Sequence, residues 1–293
     1  MEYLQNTSHF LWQPSAWLRV TGEDVLIFLQ GQHTNNLNNL IVGGAAYGLW
    51  LNQKGKVIAD SFIIRMGEYE FLVGSYLSEA SVIRERLEAY IIADDVTIAD
   101  ETADWGGMTF FTDATAEEMK ILVPGGVIFR GRRGAVAHWE WVAPIAERET
   151  AVEKFSTTST LTFTEMERRR IVANIPAIPQ DIGVGELPNE GGLDLDAVSY
   201  TKGCYLGQEV MARLKAMGQV RRRLVRVEGA IMAPSVPATL FVGDRKVGEL
   251  RSAVASDSGF VGLALVTLMH VPLDKKVALS VGGAATIDLL LPT

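Results

Sequence analysis

The segment VSYTKGCYLGQEVMARLKAMGQVRRRL, residues 198–224, contains the only cysteine of the 293-residue chain. Cys204 lies between Gly203 and Tyr205, two residues after Lys202 and five before Glu209. One thiol makes neither an internal disulfide nor a metal cage of its own. It is either a buried filler or a reactive group. If TKGCY is extended, Lys202 and Cys204 share one face. A neighbouring ammonium, or the N-terminus of the short helix predicted after it, favours thiolate over thiol. Gly203 and Gly207 remove side chains where another molecule could approach the backbone. Against this stands the tendency of free cysteine to be buried and inert.

On both sides of this segment the pattern is mixed. TGED before VLIFLQ predicts a helix capped by Thr21 and closed near Gly31. YGLWLN, KVIADSFIIR, YEFLVG and VTIAD read as strands, and SEASVIRERLEAYII reads as a helix with Ser78 as its cap. This order suggests an α+β unit resembling a split βαβ layer. Residues 105–143 read as short β pieces between Gly-rich turns. In TEMERRRIVAN, Thr164 and Glu167 fit a capping box and Asn174 a left-handed C-terminus, with Pro176 blocking continuation. The loop IPQDIGVGELPNEGGLDLD, 178–196, is long enough to suggest a functional role. Pro234 and Pro237 mark a boundary that gives a region 1–230 and a C-terminal region 231–293, whose short strands predict a small β-barrel.

The formal net charge of −8 disfavours broad binding to nucleic acid or anionic membrane. Positive charge is still bunched at ERRR (167–170) and at 213–223, as solvated faces or as a clamp for a small anion. The longest apolar stretch, GFVGLALVTLMHVPL, is too short to span a bilayer. MEYLQNTSHF has no basic region followed by an apolar run, unlike a signal peptide. The expected compartment is reducing and cytoplasmic. His9, His33, His138 and His270 have no metal-ligand spacing, so no metal site is expected. Asp60, within KVIADSFIIR, either faces solvent on an alternating strand, the reading we favour, or waits for a partner inside. GQHTNN (31–36) is either a cap and turn or the lining of a polar pocket.

FLQGQHTNNL (28–37), NQKGKVIAD (52–60), RIVANIP (170–176) and above all residues 198–224 resemble the YgfZ-type folate-binding proteins. These lie within the superfamily of the glycine cleavage T-protein, an aminomethyltransferase. The resemblance runs from about Ser15 to the C-terminus, and K-G-C-Y-x-G-Q-E is its most specific piece. It implies ferredoxin-like α+β layers, two interleaved subdomains, around a central channel that binds tetrahydrofolate, followed by the β-barrel. It also implies a role in assembly or repair of iron–sulfur clusters in client proteins, among them tRNA-modifying enzymes. The reactive pair of that family falls on Lys202 and Cys204, and its signature on Gly203, Tyr205, Gly207, Gln208 and Glu209. The resemblance also suggests Asp60 or Glu190 for the pterin edge and Arg223 for the glutamate tail. The T-protein branch lacks the cysteine motif and has an acidic pair where this chain has Ala59 and Asp60. The glutamate of its R-L-E-A-G motif, the equivalent of RIVAN, falls on Val172. The expected function is therefore a folate-dependent accessory protein for iron–sulfur clients, with aminomethyl transfer as the alternative.

Overall fold

The computed structural model describes residues 7–218 and 220–291. Residues 1–6, on which part of the leader reading rests, lie outside the described residues. The chain opens with β1 (Ser8–Trp12), β2 (Ala16–Thr21) and α1 (Val25–Gln32), then β3 (Ala45–Leu51), β4 (Val57–Arg65), β5 (Glu70–Ser75), α2 (Ala80–Glu88) and β6 (Thr97–Asp100). It continues through β7 (Trp105–Phe111), α3 (Ala116–Leu122), β8 (Val127–Arg130), β9 (Trp139–Pro144), α4 (Ile145–Lys154), β10 (Ser159–Thr160) and α5 (Phe163–Val172). After the long loop come α6 (Gln208–Met217), β11 (Arg222–Gly229), β12 (Ala238–Val242), β13 (Arg245–Ser256), β14 (Gly259–Thr267), β15 (Lys276–Val277) and β16 (Ile287–Leu290).

Two five-stranded sheets form the first part, in the orders β3-β4-β5-β2-β6 and β10-β1-β7-β9-β8. Because β1 pairs with β7 across the whole first sheet's sequence, the two units are interleaved. Trp12, Trp17, Phe62, Ile64, Leu72, Phe129 and Val142 pack the two sheets against each other. On the far face of the first sheet Ala59, Ile63 and Val73 pack with Phe28, Leu29, Ile83 and Leu87 of α1 and α2. On the far face of the second, Met108, Trp141 and Ala143 pack with Met119 of α3 and Ala151 of α4. Both sheets are thus covered on both faces.

The third sheet, β12-β13-β14-β11-β16-β15, curls until Phe241 of β12 exchanges two 2.9 Å backbone hydrogen bonds with Ala278 just past β15. That closes the predicted barrel around Val225, Val227, Leu240, Phe260 and Ile287. Its first strand is β11, so the barrel starts near residue 222 rather than at 231. The prolines that set the expected boundary lie in the β11–β12 connection, inside the barrel. A shared core of Leu49, Leu51, Ile171, Leu193, Tyr205, Met211, Leu224 and Leu265 seals the barrel and α6 onto the first sheet.

Local punctuation was read less accurately. The α5 capping box is Thr162 with Glu165, two residues before the expected pair, while Glu167 instead pairs with Arg170. Asn174 does take the left-handed conformation, with φ 55°. Helix α1 follows Asp24, whose side chain makes no capping hydrogen bond, and runs through Gly31, and Ser78 does not cap α2. Residues 105–143 hold, besides strands, the helix α3 with its own Thr115–Glu118 box.

Candidate functional site

The register of β3 on β4 places Tyr47 opposite Phe62 and Leu49 opposite Asp60. Alternation puts Asp60, Phe62 and Ile64 on one face of β4. That face lies against the second sheet, so Asp60 is buried rather than facing solvent. Its Oδ1 accepts from Ser75 Oγ (2.9 Å) and Ser78 Oγ (2.5 Å), and its Oδ2 accepts from Tyr47 OH (3.0 Å). Ser78 Oγ also accepts from the Asp60 backbone N–H. Burial pushes the Asp60 carboxyl above its ordinary value, opposed by these hydrogen bonds and by the charge of Arg132. A carboxylate has about four lone-pair sites, so three donors leave room for one more.

Asp60 lines a small pocket of about 90 Å³ with Tyr47, Tyr76, Arg132, Arg133, Arg170 and Ala177 among its other walls. Tyr47 and Arg132 also line an outer cavity of about 810 Å³ that opens between β3, α3 and β8. The Arg132 guanidinium lies 4.5 Å from the Tyr47 ring centre and holds Asp196 through both oxygens. Arg133 stacks 3.7 Å over Tyr76 and donates to Glu140, which also accepts from Tyr76 OH and Thr109 Oγ1. The arrangement is a buried carboxylate in a small pocket walled by two tyrosines and three arginines. Such walls suit a flat, donor-bearing ring system. Tyr76, Arg132, Arg133 and Asp196 were missed from sequence. The available signal was RGRR (130–133), an arginine cluster at a glycine turn that is as dense as those noticed.

The cysteine motif forms a second locus. Residues 200–203 are a bend rather than a strand, so Lys202 and Cys204 do not share a strand face. Lys202 is buried, and its Nζ donates to the carbonyls of Gln30 (2.6 Å), His33 (2.6 Å) and Asn35 (3.0 Å). Three donors meet three acceptors, leaving none for the sulfur. Burial pulls the ammonium down to about 8. The loop held this way feeds the cavity wall, since Asn35 Nδ2 donates to the carbonyls of Tyr47 and Asp196. Thr34 Oγ1 donates to Ala197 O and accepts from Leu49 N–H. The polar groups of GQHTNN thus tie the chain to itself.

Cys204 is exposed, in a groove of about 540 Å³ shared with Gln32, Gln53, Tyr205, Gln208 and Glu209. Tyr205 is buried in the shared core, and burial raises its phenol to about 12. Gly207 does not open the backbone to a ligand: a Cβ there would stand 2.9 Å from Asn52 O and 3.1 Å from Gly55 Cα. Gly203 does face open space. Glu190 is not at the cavity. Its carboxylate takes the Arg222 guanidinium (2.9 and 3.0 Å) and the Leu187 N–H (2.8 Å), fixing the long loop to the barrel. Of the arginines in VRRRL it is therefore Arg222 that is paired in this way, whereas Arg223 is half-buried at the start of β11. Among the described residues no cluster of His, Cys, Asp and Glu could hold a metal, and no helix is long and apolar enough to cross a membrane.

Residues 13–112 match the GCVT N-terminal domain, and residues 221–293 match the CAF17 C-terminal beta-barrel domain. Aminomethyltransferases of Bacillus cytotoxicus and Bacillus mycoides are each 24% identical to the chain, across 94% of it and 83% of their own length. The solved aminomethyltransferase T of the glycine cleavage system from Bartonella henselae superposes with a TM-score of 0.80 at 16% identity, covering 97% of this chain and 84% of that one. The fold is that of the T-protein aminomethyltransferases.

Proposed function

We propose that this chain, with a T-protein fold and a CAF17-type barrel, binds reduced folate (tetrahydrofolate or a derivative) around Asp60 and serves assembly or repair of iron–sulfur clusters in client proteins. The observation that carries the reading is the Asp60 carboxylate. It is buried in a small pocket, and its three side-chain hydrogen bonds leave one lone-pair site, which the N–H edge of a pterin would fill. The exposed Cys204 supports the second half. It is a thiol that a client can reach, and it provides one ligand or one nucleophile while the client provides the rest. Lys202 acts at one remove, by fixing the loop between the groove and the cavity.

Tryptophan fluorescence tests the folate half. Tetrahydrofolate should quench saturably, and Asp60→Asn should weaken binding by about tenfold or more. No saturable response at millimolar ligand would overturn the reading. Cys204→Ser should leave folate binding intact and fail to restore iron–sulfur enzyme activities in a deletion strain. Aminomethyl transfer is the second reading, favoured by the names of the relatives. Folate-dependent cleavage of a methylamine-type donor by the pure protein would establish it.

A further inference from the structure

The Asp60 pocket is smaller than the ligand its walls suit. Its volume is about 90 Å³, whereas pockets that take small molecules span about 300–1,000 Å³. A ring system therefore enters only if a wall moves. The polar walls are tied in place: Tyr47 to Asp60, Tyr76 and Arg133 to Glu140, Arg132 to Asp196 and Arg170 to Asp181. Displacing any of them breaks a hydrogen bond, most of them to a carboxylate. Phe163 differs. It lines the same pocket and is 68% exposed. Among the described residues its ring makes no contact with another ring or with a cation. The Thr162–Glu165 capping box makes Phe163 the first residue of α5. A side chain in that position has no preceding helical turn to clash with, so its χ1 is less restricted than further along the helix. Leu77, the other exposed apolar wall, is 44% exposed. A single exposed aromatic is ordinary. Here it stands with a second apolar residue where a pocket holding a buried carboxylate meets solvent.

We propose that Phe163 is a swinging aromatic cap, which turns outward to admit a planar ring to the Asp60 pocket and then closes on the face of that ring. The ligand class is the one of the folate reading, on which this inference rests. Asp60 takes the N–H edge of the pyrimidine ring of the pterin, and Phe163 covers its flat face. Stacking between a ring and an aromatic side chain is worth about 1–3 kcal/mol by alanine substitution where bases are held this way. The closed cap also removes the ring of Phe163 itself from water. Phe163 thereby selects for a flat ring, while Asp60 selects for its donors.

The test is tetrahydrofolate binding to the full chain, with affinity by calorimetry and rates by stopped-flow, for the wild type, Phe163→Ala, Phe163→Leu and Phe163→Trp. Phe163→Ala should weaken binding about tenfold, through faster dissociation and with no slowing of association. Phe163→Leu should remain weakened, whereas Phe163→Trp should bind within about twofold of the wild type. Wild-type affinity in Phe163→Ala overturns the cap and leaves the folate reading standing. Restoration by Leu as complete as by Trp also overturns it, because an apolar filler would then suffice. Slower association in Phe163→Ala overturns the outward swing. Failure of the wild-type protein to bind overturns the folate reading and the cap with it. Circular dichroism of the three variants, altered at an exposed side chain, confirms that they are folded.

Discussion

At Lys202 an ammonium expected beside a thiol meets three backbone carbonyls instead. Replacing it by Met keeps the stem and orphans those carbonyls. The variant should lose on the order of 2–4 kcal/mol in denaturant unfolding. Alkylation of native Cys204 should meanwhile proceed close to the wild-type rate. A marked fall in that rate would restore Lys202 as the activator of the thiol. His33, on the same loop, is wholly buried, and its imidazole is pulled from 6.5 down to about 3, by burial first and the charge of Lys202 second. Weak backbone contacts at Asn35, Ser61 and Gly48 offset this only in part. The unfolded chain takes up that proton near 6.5 and the folded one only near 3. The His33 contribution to stability is therefore complete above the upper value and is lost as pH falls between the two. Thermal unfolding followed across that window should show the decline, and His33→Phe should flatten it. An unchanged slope in the variant would assign the acid sensitivity elsewhere.

Two glycines set the meeting of elements that builds the groove. Gly55 (φ +67°), in the turn between β3 and β4, abuts Val210 of α6, and Gly207 (φ +87°) at the start of α6 abuts Asn52 and Gly55. NQKG and YLGQE are thus two halves of one contact, which accounts for their glycines through close backbone approach rather than ligand access. Gly207→Ala should destabilise by about 1–3 kcal/mol, since it meets both an unfavourable φ and a backbone oxygen. Gly203→Ala, with nothing near its Cβ, should stay within about 0.5 kcal/mol. Comparable losses in both would refute this assignment. Element types were legible where periodicity was strong, as in β4 and α5. Helix α3 was missed although TAEEM carries a capping box, because its seven residues give too little period to outweigh the flanking Gly-rich strands.

The whole molecule is joined at Arg170. Its Nη1 donates to Asp181 Oδ2 (2.5 Å) and Ile175 O (2.9 Å), and its Nη2 to Glu167 Oε2 (2.6 Å) and to Ser252 Oγ of the barrel (2.9 Å). Asp181 is fully buried, so Arg170→Met leaves an uncompensated charge between α5, the long loop and β13. The expected loss is about 3–5 kcal/mol in denaturant unfolding, and one under about 1 kcal/mol would mean that the knot is solvated. The amino-acid sequence by itself determined the α+β class, the C-terminal barrel and the singular status of the Cys204 motif. These rest on local period, turn chemistry and residue type, all carried by neighbours along the chain. Only the tertiary structure decided that Asp60 is inside, because strand alternation distinguishes two faces without saying what covers them, and here the second sheet covers the face it occupies. It likewise decided that Lys202 is a brace, that Glu190 locks a loop to the barrel, and that Tyr47, Tyr76, Arg132 and Arg133 line one pocket. Those relations join residues tens to more than a hundred positions apart, and no spacing along the chain encodes which of them meet.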